Sequence, residues 1–285
     1  MSERTPRKEQ ASYTHGHHAS VVMDHARRTA QDSAAFLLPH IQPHHKILDV
    51  GCGPGTITAD LAALVPQGSV IAVDAVESVL QQASTYAASR NLTNISFQTV
   101  DANDLPFPDD TFDIVYCHQL LQHVKDPVGI LREMRRVCKP QTGIVAAREA
   151  DYASFAFYPS PPEINRWAEL YQLVARKNGG EPNAGRHLHV WARQAGFSPD
   201  KKEIHASWDS WRYADERATQ FSMSWHGRIL QPGFMGTAVR EGYATEQEIR
   251  ALSEAWKRWG ESEDVLVAIP HGEILCRKTE AAAHH

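Results

Sequence analysis

The stretch Ile47-Leu-Asp-Val-Gly-Cys-Gly-Pro-Gly-Thr56 decides the fold of this chain. An apolar strand runs directly into three glycines at alternate positions, and a helix begins at Thr56. Glycine lets the chain turn sharply and lets a ligand lie against bare backbone, while the first N–H groups of the helix face the same ligand. The stretch therefore predicts a small-molecule site at the end of a buried strand.

The spacing of these glycines argues against two common phosphate sites. A dinucleotide fingerprint has the spacing G-x-G-x-x-G, but Thr56 stands where its third glycine would be. The glycines instead follow Asp49 as G-x-G-x-G, and no G-K-[ST] sequence of a P-loop comes after them. The pattern disfavours NAD and nucleoside triphosphates as ligands.

Outward from this stretch, short apolar strands alternate with helices. Such alternation predicts parallel strands with helices on both faces, which is a Rossmann-like, doubly wound α/β fold. The predicted strands are Lys46–Val50, Ser69–Asp74, Ile95–Val100, Phe112–Cys117 and Gly143–Ala147. The predicted helices are Ala19–Leu38, Thr56–Leu64, Ser78–Ser89 and Pro127–Val137.

Regular alternation stops in the second half, and all seven tryptophans lie after residue 166. We expect a helical cap over residues 151–262, above the ligand end of the sheet and within one domain over residues 13–280 whose cofactor-binding core is 46–147. Residues 1–12 are expected to be flexible, and 281–285 to be a tag remnant. The predicted elements are helices Glu163–Asn178, Arg186–Ala195, Asp215–Leu230 and Thr245–Trp259 and strands Glu203–Ser207 and Val265–Cys276.

Composition narrows the class of protein. A net charge of −5 does not favour a broad nucleic-acid surface, and no apolar run is long enough to cross a bilayer. The four cysteines are far apart without a C-x-x-C pair, which disfavours a zinc site or a disulfide framework. We expect a cytoplasmic monomer with no metal, no nucleic-acid partner and no membrane partner.

Three acids, Asp49, Asp74 and Asp101, stand at or near the ends of three successive predicted strands. An acid after the second strand is placed to accept hydrogen bonds from a ribose diol, because an ionised carboxylate can hold two adjacent hydroxyls. Asp101 could hold an adenine amino group, with Ala102 offering its backbone N–H. The three acids beside the glycine turn predict an adenosyl site.

Residues 46–147 resemble the class I methyltransferases of the group named for ubiquinone and menaquinone biosynthesis. The matching segments are 48–55, Asp74, the block Asp101-Ala-Asn-Asp-Leu-Pro-Phe-Pro-Asp-Asp-Thr-Phe-Asp113, and 118–137. The resemblance implies a seven-stranded sheet with an antiparallel last strand, and the cofactor S-adenosylmethionine (SAM) with S-adenosylhomocysteine (SAH) as product. Its implied cofactor contacts are Tyr13, Asp49, Gly51, Cys52, Gly53, Gly55, Thr56, Asp74, Ala75, Asp101, Ala102 and His118.

The segment Tyr116-Cys-His-Gln-Leu-Leu-Gln-His123 falls at the carboxyl end of the fourth strand, where a methyl acceptor would lie. Methyl transfer from a sulfonium is an in-line displacement, so it needs a placed nucleophile and, for some acceptors, a base. His118 and His123 are the candidate general bases, since histidine titrates near neutral pH. The alternative is that they pack against the cofactor or cap a helix.

From Tyr13 to Arg277 the chain resembles fungal methyltransferases of secondary metabolism, whose N-terminus closes over the site. That resemblance implies that Tyr13 is a lid residue. We predict Arg186, Met223 and Trp225 as acceptor contacts, the alternative for Met223 and Trp225 being core packing. The implied acceptor is a small molecule, best a dithiol like reduced gliotoxin that is S-methylated. A C- or O-methylated quinone or phenol, and a non-catalytic SAM-binding protein, remain as alternatives.

Overall fold

The computed structural model describes residues 28–200 and 202–279, so the predictions on Tyr13 and on both chain ends lie outside the described residues. Its strands form one sheet of eight strands. They are β1 (Lys46–Val50), β2 (Ser69–Asp74), β3 (Ile95–Thr99), β4 (Ile114–His118), β5 (Ile144–Ala150), β6 (Ala156–Tyr158), β7 (Ile204–Tyr213) and β8 (Leu266–Cys276).

The direction in which successive strands are added to the sheet reverses at β1, the strand that leads into the glycine turn. β3, β2, β1, β4 and β5 follow one another in parallel, β8 is antiparallel to β5, and β7 is antiparallel to β8. Because β1 pairs with both β2 and β4, the chain leaves β1 in one direction and later continues in the other. Ligands of such sheets bind outside the carboxyl ends of the strands at this point.

Helices cover both faces of the sheet, as predicted. Successive residues of β1 show this, because Ile47 packs in one buried layer with Leu61 and Leu48 packs in the other with Ile130. The α-helices are α1 (Ala30–Ser33), α2 (Thr56–Leu64), α3 (Glu77–Ser89), α4 (Pro127–Val137), α5 (Pro162–Lys177), α6 (Leu188–Gln194), α7 (Glu216–Arg228), α8 (Thr237–Arg240) and α9 (Glu246–Gly260).

A third core lies in the second half, among α5, α7 and α9. It is largely aromatic: the ring centroid of Trp167 lies 4.5 Å from that of Trp225 and 4.8 Å from that of Trp256. All three indoles are buried. Most of the tryptophans that the sequence places late in the chain therefore build the inside of a helical layer, and they do not face a ligand.

The predicted helix over Ala19–Leu38 is wrong where the structure describes it. α1 spans only Ala30–Ser33, a turn follows, and a short 3₁₀ helix covers Leu38–His40. Thr29 is the reason, since its hydroxyl accepts from the backbone N–H of Asp32 while the Asp32 side chain accepts from the backbone N–H of Thr29. This capping box starts a new helix at Ala30, so no continuous helix can pass through Thr29.

Two strands are longer than predicted, and the structure adds the short β6. β5 continues through Arg148 and Glu149, whose charged side chains are fully buried. β7 continues to Tyr213 along β8. The segment 151–262, which was expected to form a helical cap, therefore contains the strand β7. It also contains α6, which packs against α4 on a face of the sheet.

In the described part of the chain, each helix is too short or too polar to traverse a lipid bilayer.

Candidate active site

The glycine turn joins β1 to α2 and is fixed to the end of β2. Gly51, Gly53 and Gly55 all have positive φ, at 74°, 54° and 78°, a backbone region that residues with a Cβ rarely adopt. The backbone N–H groups of Gly51 and Cys52 both donate to the Val73 carbonyl, at 2.8 and 3.1 Å. Glycine is required at these positions because the chain turns from β1 into α2 within five residues, through backbone conformations with positive φ.

Open space lies on one side of this turn. A Cβ added to Gly53 would meet no atom within 4 Å, whereas one added to Gly55 would lie 2.6 Å from the Ala83 Cβ. A Cβ on Gly51 would lie 3.0 Å from the Leu120 side chain, in the loop after β4. Gly55 and Gly51 thus allow close packing inside the protein, while Gly53 leaves bare backbone facing open space.

Asp74 closes the next side of this opening. One carboxylate oxygen accepts from the Gly53 backbone N–H at 3.0 Å, and the other accepts from the Val76 N–H at 3.0 Å. Each oxygen has a second lone pair, so a half-buried carboxylate held in this way can still accept from two ribose hydroxyls. Ala75 follows it and is exposed.

Asp101 lies two residues beyond the end of β3, and β3 pairs with β2 so that Thr99 is opposite Asp74. Its Oδ1 accepts from the backbone N–H and the side-chain amide of Asn103, at 3.0 and 2.8 Å. Its side chain is exposed and Ala102 is half-buried. Oδ2 of Asp101 takes no part in these two bonds, so it could accept a hydrogen bond from an adenine amino group.

Asp49 lies beneath the turn, away from its open side. It is buried and accepts a hydrogen bond of 2.6 Å from the Thr58 hydroxyl of α2. Burial raises the pKa of Asp49 to about 7, against the lowering effect of that hydrogen bond. Thr56 is buried as well, while Cys52 is half-buried at the turn. The bond between Asp49 and Thr58 therefore ties β1 to α2, the two elements that the turn joins.

Glu149 fixes the loop after β4, although this residue was not predicted from the sequence to belong to the site. The fully buried carboxylate accepts from the backbone N–H groups of Leu120, Leu121 and Gln122, at 2.9, 2.7 and 3.2 Å. Burial raises the pKa of Glu149 to about 8, opposed by these three donors. It was missed because the predicted strand ended at Ala147, two residues before it.

His118 ends β4 and is buried. Its Nδ1 lies 3.5 Å from an Arg28 guanidinium nitrogen, which can only donate, so in this contact the ring proton resides on Nε2. Burial holds the pKa of His118 well below its ordinary value, and the positive charges of Arg28 and Arg148 act in the same direction. The environment therefore disfavours the protonated state that a general base must reach.

His123 ends the short 3₁₀ helix Leu121–His123 and is half-buried. Its Nε2 lies 3.0 Å from the side-chain amide of Gln122. Burial lowers the pKa of His123 to about 3, with Arg28 and Arg228 contributing. The second candidate base is thus also held neutral by its surroundings.

A pocket opens between the carboxyl ends of β4, β5 and β7, the amino-terminal half of β8 and the helix α7. Gln119, the residue directly after β4, lies in its wall. Its aromatic residues are Tyr152, Phe155, Trp211, Tyr213 and Phe221, its charged residues are Arg28, Asp32, Arg217 and Arg228, and Gln119, Ala150, Gln220 and Ile269 complete it. Arg217 is ion-paired with Asp215 at 3.1 Å, so Arg28 and Arg228 against the Asp32 carboxylate give this pocket its excess of positive charge.

Of the three predicted acceptor contacts, none lies among the residues that line this pocket. Trp225 is buried in the aromatic core, so the alternative of core packing holds for it. Met223 is 43% exposed on the opposite side of α7. Arg186 forms a bidentate ion pair with buried Asp151, at 2.6 and 2.5 Å. Contact of these three residues with an acceptor stays a prediction.

The helix containing Met223 and Trp225 does line the pocket, but through another face. Arg217, Gln220, Phe221 and Arg228 follow helical spacing and point to one side. Phe221, two residues before Met223, is the nearest lining residue to the predicted pair. Trp211 was missed because β7 was predicted to end before it.

The glycine turn, the open backbone at Gly53 and the acids after β2 and β3 fit an adenosyl group with a methionine tail. The strand order with its antiparallel last pair, together with this site, defines a class I SAM-dependent methyltransferase. The family model for the methyltransferase domain matches residues 41–211. The chain belongs to this methyltransferase family, it is an enzyme that uses SAM, and its acceptor is a small molecule.

Curated relatives agree with this class. An uncharacterized methyltransferase of Schizosaccharomyces pombe is 36% identical over 95% of this chain and 98% of its own length. The "Probable methyltransferase ltbC" of Aspergillus luteorubrus is 33% identical over 94% of this chain and 97% of its own. A demethylmenaquinone methyltransferase of Staphylococcus carnosus is 33% identical over 56% of this chain and 64% of its own, which bears out the resemblance to that group.

Solved structures share the fold. The YcgJ protein of Bacillus subtilis has a TM-score of 0.53 at 20% identity, covering 93% of this chain and 100% of that one. The [4+2]-cyclase SpnF has a TM-score of 0.52 at 22% identity, covering 92% of this chain and 82% of that one. Both likenesses concern the architecture.

Within residues 28–200 and 202–279, no group of three or more His, Cys, Asp or Glu side chains is arranged to hold a metal ion.

Proposed function

We propose that the enzyme S-methylates a thiol of a small aromatic or heterocyclic molecule, with a dithiol like reduced gliotoxin as the best candidate class. When bound, SAM supplies a methyl group on a positively charged sulfur, which a thiolate attacks in line to give a thioether and SAH. The protein then has two tasks, which are to orient the acceptor and to favour its ionised form.

The observation that carries this proposal is the charge around the acceptor pocket. Arg28, Arg217 and Arg228 lie in its wall with Asp32 as the one acid among the lining residues. Arg228 is 5% exposed, so its charge acts in a medium of lower dielectric than water. Positive charges stabilise an anion nearby and lower the pKa of a group that ionises to one.

The histidines next to the pocket favour a thiol over a phenol. His118 and His123 both resist protonation, so an acceptor must lose its proton with little help from them. A cysteine-like thiol has a pKa near 8.5 against about 10 for a tyrosine-like phenol. A cationic pocket without a ready base thus suits the more acidic group, and thiolates are the stronger nucleophiles.

The walls suit a flat or compact ring system. Trp211 and Tyr213 stack at 6.3 Å between ring centroids, and Phe155 stacks on Tyr152 at 4.4 Å. Aromatic faces bury ring-shaped ligands well and also favour a nearby positive sulfur. Phenol and quinone acceptors fit the same walls, so the ionisation argument decides between them.

The test is transfer of labelled methyl from SAM to matched acceptors at pH 7.5. Benzenethiol and phenol differ only in the nucleophilic atom, and reduced gliotoxin represents the proposed class. We expect the enzyme to methylate both thiols at least a hundredfold faster than phenol after correction for the uncatalysed rates. Faster methylation of phenol, or of a quinone carbon, would overturn the proposal, and binding of SAM without any transfer would favour a non-catalytic role.

A further inference from the structure

One polar group in the pocket is oriented by a buried chain of hydrogen bonds. Gln119 follows β4 and has a φ of 50°, in the left-handed region that a glutamine seldom adopts. Its backbone N–H donates to the Arg148 carbonyl at 2.9 Å, and the next three N–H groups are held by Glu149. The backbone at Gln119 is therefore fixed from both sides in a strained conformation.

The imidazole of His271 fixes which way the Gln119 carboxamide points. His271 is fully buried on β8, and its Nδ1 lies 2.8 Å from the Ile269 carbonyl, which can only accept. Nδ1 of the neutral ring therefore carries the proton, and Nε2 can only accept. Gln119 presents an amide nitrogen to Nε2 at 2.9 Å, which must be the donor. The reverse orientation would place two acceptors against each other.

The consequence is that the Gln119 carboxamide oxygen cannot turn toward His271. Gln119 lies in the wall of the acceptor pocket, and no described residue donates a hydrogen bond to this oxygen. A Cβ on Gly51 of the cofactor turn would lie 3.0 Å from the side chain of Leu120, so the residue directly after Gln119 packs against that turn while Gln119 itself lines the pocket.

We infer that Gln119 selects acceptors that carry an O–H or N–H group beside the atom to be methylated, through a hydrogen bond to its fixed carboxamide oxygen. That the methylated atom is sulfur rests on the proposed function, while the hydrogen bond itself does not. Because His271 and Ile269 orient the carboxamide before the acceptor binds, the oxygen prefers a donor and rejects another acceptor at the same position.

Two pairs of small aromatic probes test this. The first is 2-(methylsulfanyl)phenol against methyl phenyl sulfide, two product-like ligands that differ by one O–H, titrated by calorimetry into the protein with SAH. The second is 2-hydroxybenzenethiol against benzenethiol in the methyl-transfer assay. A hydrogen bond of ordinary strength predicts about a tenfold preference for the O–H member of each pair in the wild type.

Gln119→Leu should bring both ratios close to one, since the oxygen is gone while SAM affinity stays. Gln119→Asn is the companion variant, because asparagine tolerates the left-handed backbone and withdraws the oxygen by one bond length, so the same loss is expected in a well-folded protein. Gln220→Leu makes the same chemical change elsewhere in the pocket and should retain the preference.

The outcomes separate the two proposals. An equal binding ratio in wild type and Gln119→Leu, or loss of the preference in Gln220→Leu alone, would overturn the role of Gln119 even if thiols are methylated. A tenfold binding preference that Gln119→Leu abolishes would support this role even if no thiol is methylated, in which case the proposed function alone would fail.

Discussion

At the scale of single residues, acidic side chains build the site by accepting hydrogen bonds from the backbone N–H groups of its loops. Asp74 holds the Gly53 and Val76 N–H groups, and Glu149 holds three N–H groups of the loop after β4. The same acids thus shape the loops and define the positions of a ligand. A substitution at either changes loop geometry together with binding.

Asp74→Ala should weaken SAM binding about 10- to 100-fold, because ribose hydroxyls would lose a charged acceptor worth roughly 1.5–3 kcal/mol. Calorimetric titration with SAM measures this. Asp101→Ala is the matched control, since it removes an exposed acid at the next strand end and should cost less. Equal affinity of Asp74→Ala and wild type would show that the ribose lies elsewhere.

His118→Gln should leave the shape of the pH–rate profile for a thiol acceptor unchanged and should lower kcat/KM less than about tenfold. The reason is that His118 is held neutral between Arg28 and Arg148 and resists taking up a proton. A general base contributes 10²–10⁴-fold, so a loss of that size together with disappearance of the acidic limb would restore the base role.

At the scale of elements, the glycines of the turn have two different roles, one in packing and one in binding. Gly55 lies against α3 and Gly53 faces open space, although both have positive φ. The turn was predictable from the G-x-G-x-G pattern after an apolar strand. Which glycine faces the ligand was not, because that depends on where α3 and the loop after β4 pack.

Gly53→Ala should cost about 1–2 kcal/mol of stability, the ordinary price of a left-handed backbone for a residue with a Cβ, and should weaken SAM binding more than tenfold. Gly55→Ala should cost at least ~1 kcal/mol more, because its Cβ would lie 2.6 Å from that of Ala83. Urea unfolding and SAM titration of both variants measure this. The reverse order of stabilities would contradict the assignment of the two glycines.

Prediction from the sequence succeeded where an element has a regular pattern and failed where tertiary partners override it. β1, β2 and α2 have the predicted bounds because alternating glycines and apolar runs mark their ends. β5 runs beyond its predicted end because Glu273 pairs with Arg148, and backbone N–H groups pair with Glu149, inside the protein. The pocket side of α7 depends on how that helix packs, which its own sequence does not specify.

At the scale of the whole molecule, the carboxyl edge of the sheet carries the cofactor turn and the acceptor pocket side by side. Below it lie several titratable groups whose pKa values are shifted by burial. Burial keeps His118, His123 and His271 neutral by lowering their pKa values. Burial also raises the pKa of Asp49 and Glu149. The stability of the protein must therefore depend on pH.

His123 gives the clearest case, since its pKa is about 3 in the folded protein against an ordinary 6.5. Between these values the unfolded chain binds a proton that the folded chain does not, so this group makes stability rise with pH, by up to ~1.4 kcal/mol per pH unit. His123→Gln should remove that share of the slope. Urea unfolding at pH 4.5, 5.5 and 6.5 compares the two slopes, and identical slopes would contradict the neutral buried state.

The central claim is that the glycine turn, Asp74 and Asp101 together hold the adenosyl group of SAM. A crystal structure of the protein with SAH tests it most directly. We predict ribose hydroxyls within hydrogen-bond distance of the Asp74 carboxylate and the adenine amino group at Asp101. We also predict that SAH lies directly against the backbone of Gly53. SAH bound at any other part of the sheet edge, or side chains filling the space beside Gly53, would contradict the account.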